Sequence, residues 1–152
     1  MIRAVVGVGP RVGSSWVMKQ LYDSGLPVHW DAELEEILPP EGNPGGYYET
    51  FAINLPKLNN VICKVWPLGV NGADIERMVV LERGREAQLK SIEIQMEREA
   101  QLLEALGLDW EPEDFLVKSE AALKPLLSIP HLRVRTEDLN DRIDEIINYM
   151  RY

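Results

Sequence analysis

The sequence predicts an α/β fold in which a parallel β-sheet is sandwiched by helices, and three observations lead there. Three runs, "IRAVVGV", "NVICKVW" and "RMVVLE", are apolar almost throughout instead of alternating, as strands buried on both faces are. Between and after them lie segments with apolar residues at helical spacing. Strands alternating with helices in this way give parallel sheets with right-handed crossovers and ligands at the carboxyl ends of the strands.

The elements follow in order. Residues 2–8 read as a central strand ended by Gly9-Pro10, and residues 14–23 as a helix with Val17, Leu21 and Tyr22 on one side and Gly25 as its stop. A short strand at 27–29 and an acidic helix in "DAELEEIL" come next. "PPEGNPGGYYE", with three prolines and three glycines, is then a loop, too long and too rich in tyrosine for a plain connector. Strands are expected at 60–66 and 77–82. From Arg85 the stripe Leu89, Ile92, Met96, Ala100 and Leu103 predicts a helix of about six turns with a solvated charged face around Glu93 to Glu99. A helix from Pro112 to about Leu123, a short strand in "HLRVR" and a last helix striped by Ile143, Ile146, Ile147 and Met150 complete the chain.

At 152 residues, with 45% apolar and 27% charged side chains and no repeat or low-complexity tract, the chain reads as a single domain spanning 1–152. Its formal charge of −9 repels nucleic acid and anionic membrane surfaces, so neither is an expected partner, and a bound polyanion needs a locally positive island. One cysteine, Cys63 in an apolar run, permits no internal disulfide and reads as a buried thiol. Without a signal peptide or a run of roughly 20 apolar residues, a cytoplasmic location is expected.

"GVGPRVGSSW", between the first strand and the first helix, carries the functional signal. A glycine-rich turn into a helix aims several backbone N–H groups at one spot, where the helix dipole adds roughly half a positive charge. The pattern is not a Walker A loop: Val8 stands where the first glycine belongs and Ser14 where the lysine belongs. Nor is it the dinucleotide pattern, because Val12 occupies the third glycine position. Residues 10–16, "PRVGSSW", instead resemble the 5′-phosphosulfate loop of the cytosolic and bacterial sulfotransferases, Pro-[Lys/Arg]-Ser-Gly-[Ser/Thr]-[Ser/Thr]-[Trp/Leu], with Val12 the one departure. The resemblance implies a P-loop NTPase-like fold and the donor 3′-phosphoadenosine 5′-phosphosulfate. It assigns donor binding to Arg11, Val12, Gly13, Ser14, Ser15 and Trp16.

Two further segments resemble the same family. Arg83, followed eight residues on by Ser91 in "RGREAQLKS", matches the arginine and serine that bind the donor's 3′-phosphate; alone, the two would read as solvated surface residues. "NPGGYYE" resembles the Asn-Pro-x-Gly-[Tyr/His/Phe]-[Tyr/Phe]-Glu segment of bacterial members and offers Glu49 as the base that deprotonates an acceptor, with His29 the second candidate. The family's Lys-[Thr]-His-x-Pro segment survives in "CKVWP" as Lys64, which the resemblance assigns to the bridging oxygen, while Trp66 stands near the histidine. "VRTEDL" resembles a later strand end, with Thr136 for tyrosine, and the late Arg-Lys-Gly segment has no counterpart.

The expected activity is therefore sulfuryl transfer to a small-molecule or glycan acceptor bearing a hydroxyl or amine, with no metal. A nucleotide-binding member without turnover and an atypical P-loop nucleotide or nucleoside kinase are the alternatives. The brevity of the chain leaves open a homodimer in which a partner subunit completes the acceptor site.

Overall fold

The computed structural model describes residues 1–9, 11–38, 45–98 and 111–151. Its four strands, β1 (Ile2–Gly7), β2 (Ile62–Val65), β3 (Ile75–Glu82) and β4 (His131–Arg135), form one sheet in the order β2-β1-β3-β4. Every pairing is parallel: Val6 sits beside Val65 on one side and Val80 on the other, and Leu81 sits beside Val134. The α/β parallel-sheet class read from the sequence is the observed one. Helices α1 (Ser14–Asp23), α2 (Ala32–Ile37), α3 (Arg85–Arg98), α4 (Pro112–Leu123) and α5 (Leu139–Arg151) surround the sheet.

Side-chain alternation along the strands divides the core in two. Val5, Ile62, Val79 and Leu81 pack under α1 and α5, against Val17, Met18, Leu21, Ile146 and Met150. Ala4, Val6, Cys63, Val65, Met78 and Val80 project the other way, against Leu55 of a 3₁₀ turn and Leu123 of α4. Each fully buried side chain of this size stabilises the fold by roughly 1.5–3 kcal/mol, which is why both faces of the sheet must be covered. Cys63 is inert filling: burial, helped by the Asp31 charge, pushes its thiol up to about 12.

Several expectations shift in detail. The strand expected at 27–29 reduces to one bridge between Val28 and Ile62, because Pro27 has no N–H and the run is too short to extend the ladder. Tyr22 lies half-exposed, and Met18 takes its place on the buried side of α1. On α3 the buried residues are Gln88 and Ile92, with Leu89 and Met96 half-buried. Gln88 is drawn inward because its side-chain amide donates to the Val8 carbonyl at 2.7 Å. Ala100 and Leu103, the far end of that stripe, lie outside the described residues, as do residues 39–44 of the proline-rich loop. Gly25, at φ 81°, does follow α1, and its N–H donates back to the Tyr22 carbonyl. Among the described residues no helix is long and apolar enough to cross a membrane.

From β1 the chain moves to β2 on one side, whereas from β3 it moves to β4 on the other. Connections diverging from neighbouring parallel strands open a crevice at their carboxyl ends. Here that crevice lies beyond Gly7 and Glu82.

Candidate active site

The turn leaving β1 is shaped by three left-handed residues, Gly9 (φ 78°), Arg11 (φ 64°) and Gly13 (φ 89°). At Gly9 the requirement is also steric. A Cβ there would lie 2.2 Å from Leu116 Cδ2 and 2.9 Å from Gln88 Nε2. Val12, fully buried, anchors the turn into the core beside Val17 and Leu139. Its side chain is committed to the core, so any donor contact at Val12 falls to its backbone. Two side chains hold the turn from neighbouring elements, Thr136 Oγ1 donating to the Val12 carbonyl at 2.8 Å and Arg83 Nη1 to the Arg11 carbonyl at 3.2 Å.

Gly13 caps α1 without a side chain, and the first turn of the helix carries no acidic residue. The first N–H groups of any helix lack an intrahelical acceptor, and here no carboxylate of the helix competes for them. A cavity of about 370 Å³ opens on this helix end, lined by Arg11, Gly13, Ser14, Ser15, Trp16 and Arg83. Tyr47, Glu49, Lys64 and Trp66 line it as well, and Gln95 and Thr136 complete the lining.

Ser15, Lys64, Glu49 and Trp66 form a connected polar cluster. Lys64, next to last in β2 and only 3% exposed, points to the same sheet face as Ile62 and reaches under α1. Its Nζ donates to Ser15 Oγ at 2.8 Å and to Glu49 Oε1 at 3.0 Å. Ser15 Oγ in turn donates to the Tyr47 carbonyl at 3.2 Å, and Trp66 Nε1 donates to Glu49 Oε2 at 2.9 Å. Burial lowers the Lys64 pKa from its ordinary range, while the Glu49 carboxylate works in the other direction. A buried ammonium paired with a carboxylate and one hydroxyl is poised to meet an incoming anion without moving far.

Of the residues singled out in the sequence, Arg11, Gly13, Ser14, Ser15, Trp16, Glu49, Lys64 and Arg83 come together on this one cavity. Ser91 does not line it; its Oγ accepts from Arg11 Nε at 3.2 Å, and Gln95, one turn further along α3, takes the place on the wall. His29 is also off the wall, with Nε2 3.3 Å from Asp31 Oδ1. Gln95 was not foreseen as a lining residue, whereas Tyr47 belongs to the tyrosine-rich loop that the sequence singled out as more than a connector. Helical spacing from Ser91 was the available signal for Gln95, and the tyrosine pair before Glu49 was the signal for Tyr47. Among the described residues no group of three or more His, Cys, Asp or Glu side chains could hold a metal ion.

No family model and no curated protein matches the chain. A crystal structure of an uncharacterized protein from Eubacterium ventriosum is similar, at 14% identity and a TM-score of 0.42 over 99% of this chain and 98% of that one. A likeness at that level bears on no functional question.

Proposed function

We propose that this protein binds 3′-phosphoadenosine 5′-phosphosulfate and transfers its sulfuryl group to an acceptor hydroxyl or amine, as a sulfotransferase-like protein of P-loop type. The observation that carries the reading is the meeting, on one cavity, of the α1 N-terminus, two arginines from separate segments and a buried lysine paired with a glutamate. A molecule of net charge −9 that gathers cations at one helix end is suited to a small polyanion. The cavity volume falls within the range of roughly 300–1,000 Å³ usual for small-molecule sites.

In this reading the first-turn N–H groups of α1 and the Ser14 and Ser15 hydroxyls hold the 5′-phosphate, and Arg83 holds the 3′-phosphate. The donor supplies an activated sulfuryl group whose departure leaves negative charge on a phosphate oxygen. Lys64, already within hydrogen-bond reach of Ser15, stabilises that charge, and its worth is greatest where the charge develops. Glu49 takes the acceptor's proton at whichever carboxylate oxygen faces the acceptor. Arg11, steered by Ser91, adds a second guanidinium at the cavity's edge.

One observation favours a second reading, donor binding without turnover: both Glu49 oxygens already accept hydrogen bonds, from Lys64 and from Trp66. Calorimetry and rate measurements separate the two. We expect 3′,5′-adenosine bisphosphate to bind, and Arg83→Ala to weaken it about 10- to 100-fold, the loss of a charge-assisted hydrogen bond worth roughly 1.5–3 kcal/mol. 5′-AMP should bind the wild type about as weakly as the bisphosphate binds that variant. Equal affinity for the bisphosphate and for ATP would remove the donor assignment in favour of a kinase. Under the first reading Glu49→Gln abolishes sulfuryl transfer while the bisphosphate still binds; with no transfer by the wild type to any phenolic, sugar or amine acceptor, the second reading stands.

A further inference from the structure

Glu49 sits in irregular backbone, outside every strand and helix. A carboxylate that is to receive a proton must nonetheless be held to within a fraction of an ångström. The residues that hold it come from α2, a six-residue helix that contributes nothing to the cavity wall, and from Asp31, which precedes it as its N-cap. Glu35 Oε1 accepts the backbone N–H of Tyr47 at 2.8 Å and also that of Tyr48. Asp31 adds three bonds around the same loop: its N–H donates to the Glu49 carbonyl at 2.8 Å, and its Oδ2 accepts from the Phe51 N–H at 2.7 Å and from Asn54 Nδ2 at 3.1 Å. The backbone of residues 47–51 is thus fastened on both sides of Glu49 by two carboxylates one helical turn apart.

Tyr48 explains why fastening is needed. Its φ of 57° is left-handed, a conformation that costs a residue with a side chain on the order of 1 kcal/mol or more. The twist buries the Tyr48 ring against Trp30, 5.2 Å away and edge-on, and within 6.4 Å of Tyr22. Its neighbours Tyr47 and Glu49 line the cavity. Released from Glu35, the backbone at Tyr48 would relax toward ordinary φ and turn Glu49 away from Lys64 and Trp66.

We infer that Glu35, seconded by Asp31, is a positioning residue whose bonds to the Tyr47 and Tyr48 amides aim the Glu49 carboxylate at the reacting centre. The inference rests on the proposed role of Glu49, yet the aiming itself is measurable without turnover. Glutamine keeps an acceptor oxygen at the same reach and alanine does not, so Glu35→Gln and Glu35→Ala make the informative pair.

Trp66 Nε1–H, bonded to Glu49, serves as the reporter. In Glu35→Ala its nitrogen–proton NMR resonance should move toward the position it takes in Glu49→Gln, whereas in Glu35→Gln it should stay near wild type. Sulfuryl transfer should follow the same pattern, with kcat falling about 10- to 100-fold in the alanine variant and the affinity for 3′,5′-adenosine bisphosphate unchanged, as expected when a reacting group is displaced by about 1 Å. Amide exchange of the wild type covers the case in which the alanine variant does not fold: Tyr47 and Tyr48 should exchange slowly although they lie in no regular element. An unmoved Trp66 resonance in Glu35→Ala, or unprotected Tyr47 and Tyr48 amides, overturns the inference. If the wild type transfers no sulfuryl group while the resonance moves as stated, the proposed activity fails and the clasp stands.

Discussion

The turn after β1 and the loop around Glu49 border the same cavity, but they are held in place by different physics. The first owes its shape chiefly to its own backbone, with glycines at positive φ, a close approach that excludes a Cβ at Gly9 and a helix start at Gly13, while Thr136 and Arg83 bond two of its carbonyls. The second owes its shape to side chains from elsewhere, two carboxylates of the α2 segment and an aromatic cluster. A cradle for an anion can be written in a handful of consecutive residues, because its donors are main-chain N–H groups. A single aimed carboxylate needs partners brought by folding, because the loop bearing it has no hydrogen-bond ladder of its own.

Substitution should expose that difference. Gly9→Ala forces a left-handed conformation and a collision with the buried Leu116, and should destabilise the protein by about 3 kcal/mol or more in denaturant titration. Gly46→Ala in the other loop, at φ 99°, would approach the Tyr48 ring only to 3.2 Å instead of the 2.2 Å met at Gly9, and should cost about 1 kcal/mol. If the two costs prove equal, the contrast between the loops is lost.

Lys64→Met comes next. Removing one partner of a fully buried pair costs about 3–5 kcal/mol, and the remaining exposure of Glu49 and its bond from Trp66 should reduce this to about 2 kcal/mol. The same variant sharpens the electrostatic part of the comparison. The Lys64 pKa lies below its ordinary 10.5, so in alkaline solution its charge, and with it part of the affinity for 3′,5′-adenosine bisphosphate, should fade at lower pH than for a solvated lysine. The stability sign is opposite. The unfolded chain holds the proton longer, so stability gains from this group as pH rises through the folded value. Calorimetry across pH should find that component of the alkaline loss absent in Lys64→Met.

The smallest expected effect belongs to Asp31. Burial works against its charge, but the bonds from Phe51, Asn54 and His29 outweigh it and hold the carboxyl below its usual 3.8. A depressed carboxyl contributes stability that is full above the unfolded value and lost as pH falls through the folded one. Acid titration of Asp31→Asn should therefore lack part of the wild-type loss below about pH 4, while near pH 7 the variant should be less stable by about 1 kcal/mol or less.

Much of the site was legible because its donors are local. Arg11, Gly13, Ser14 and Ser15 are consecutive or nearly so, and the order of strand, glycine-rich turn and helix is enough to expect them at one helix end. Lys64 and Glu49 were identified, but not as a bonded pair, since sequence carries no register between β2 and an irregular loop. His29 shows the limit. A histidine near a strand end reads as a candidate base, and only the packed chain reveals that it leans on Asp31. Gln88 shows the same limit in the core, where an uncapped carbonyl at Val8 drew a polar side chain to a buried position that hydrophobic periodicity assigned to Leu89.

The sequence by itself determined the parallel α/β class, the four described strands and the glycine-rich turn into α1, because hydrophobic period, glycine placement and helix starts act over a few residues. Tertiary structure alone decided which residues meet around the cavity: Arg83 on the Arg11 carbonyl, Lys64 on Ser15, Glu49 between Lys64 and Trp66, and Glu35 on the Tyr47 amide behind the wall. The reason is geometric. Those contacts depend on strand order and on the path of a loop with no repeating hydrogen bonds, and neither is fixed until the two cores have packed.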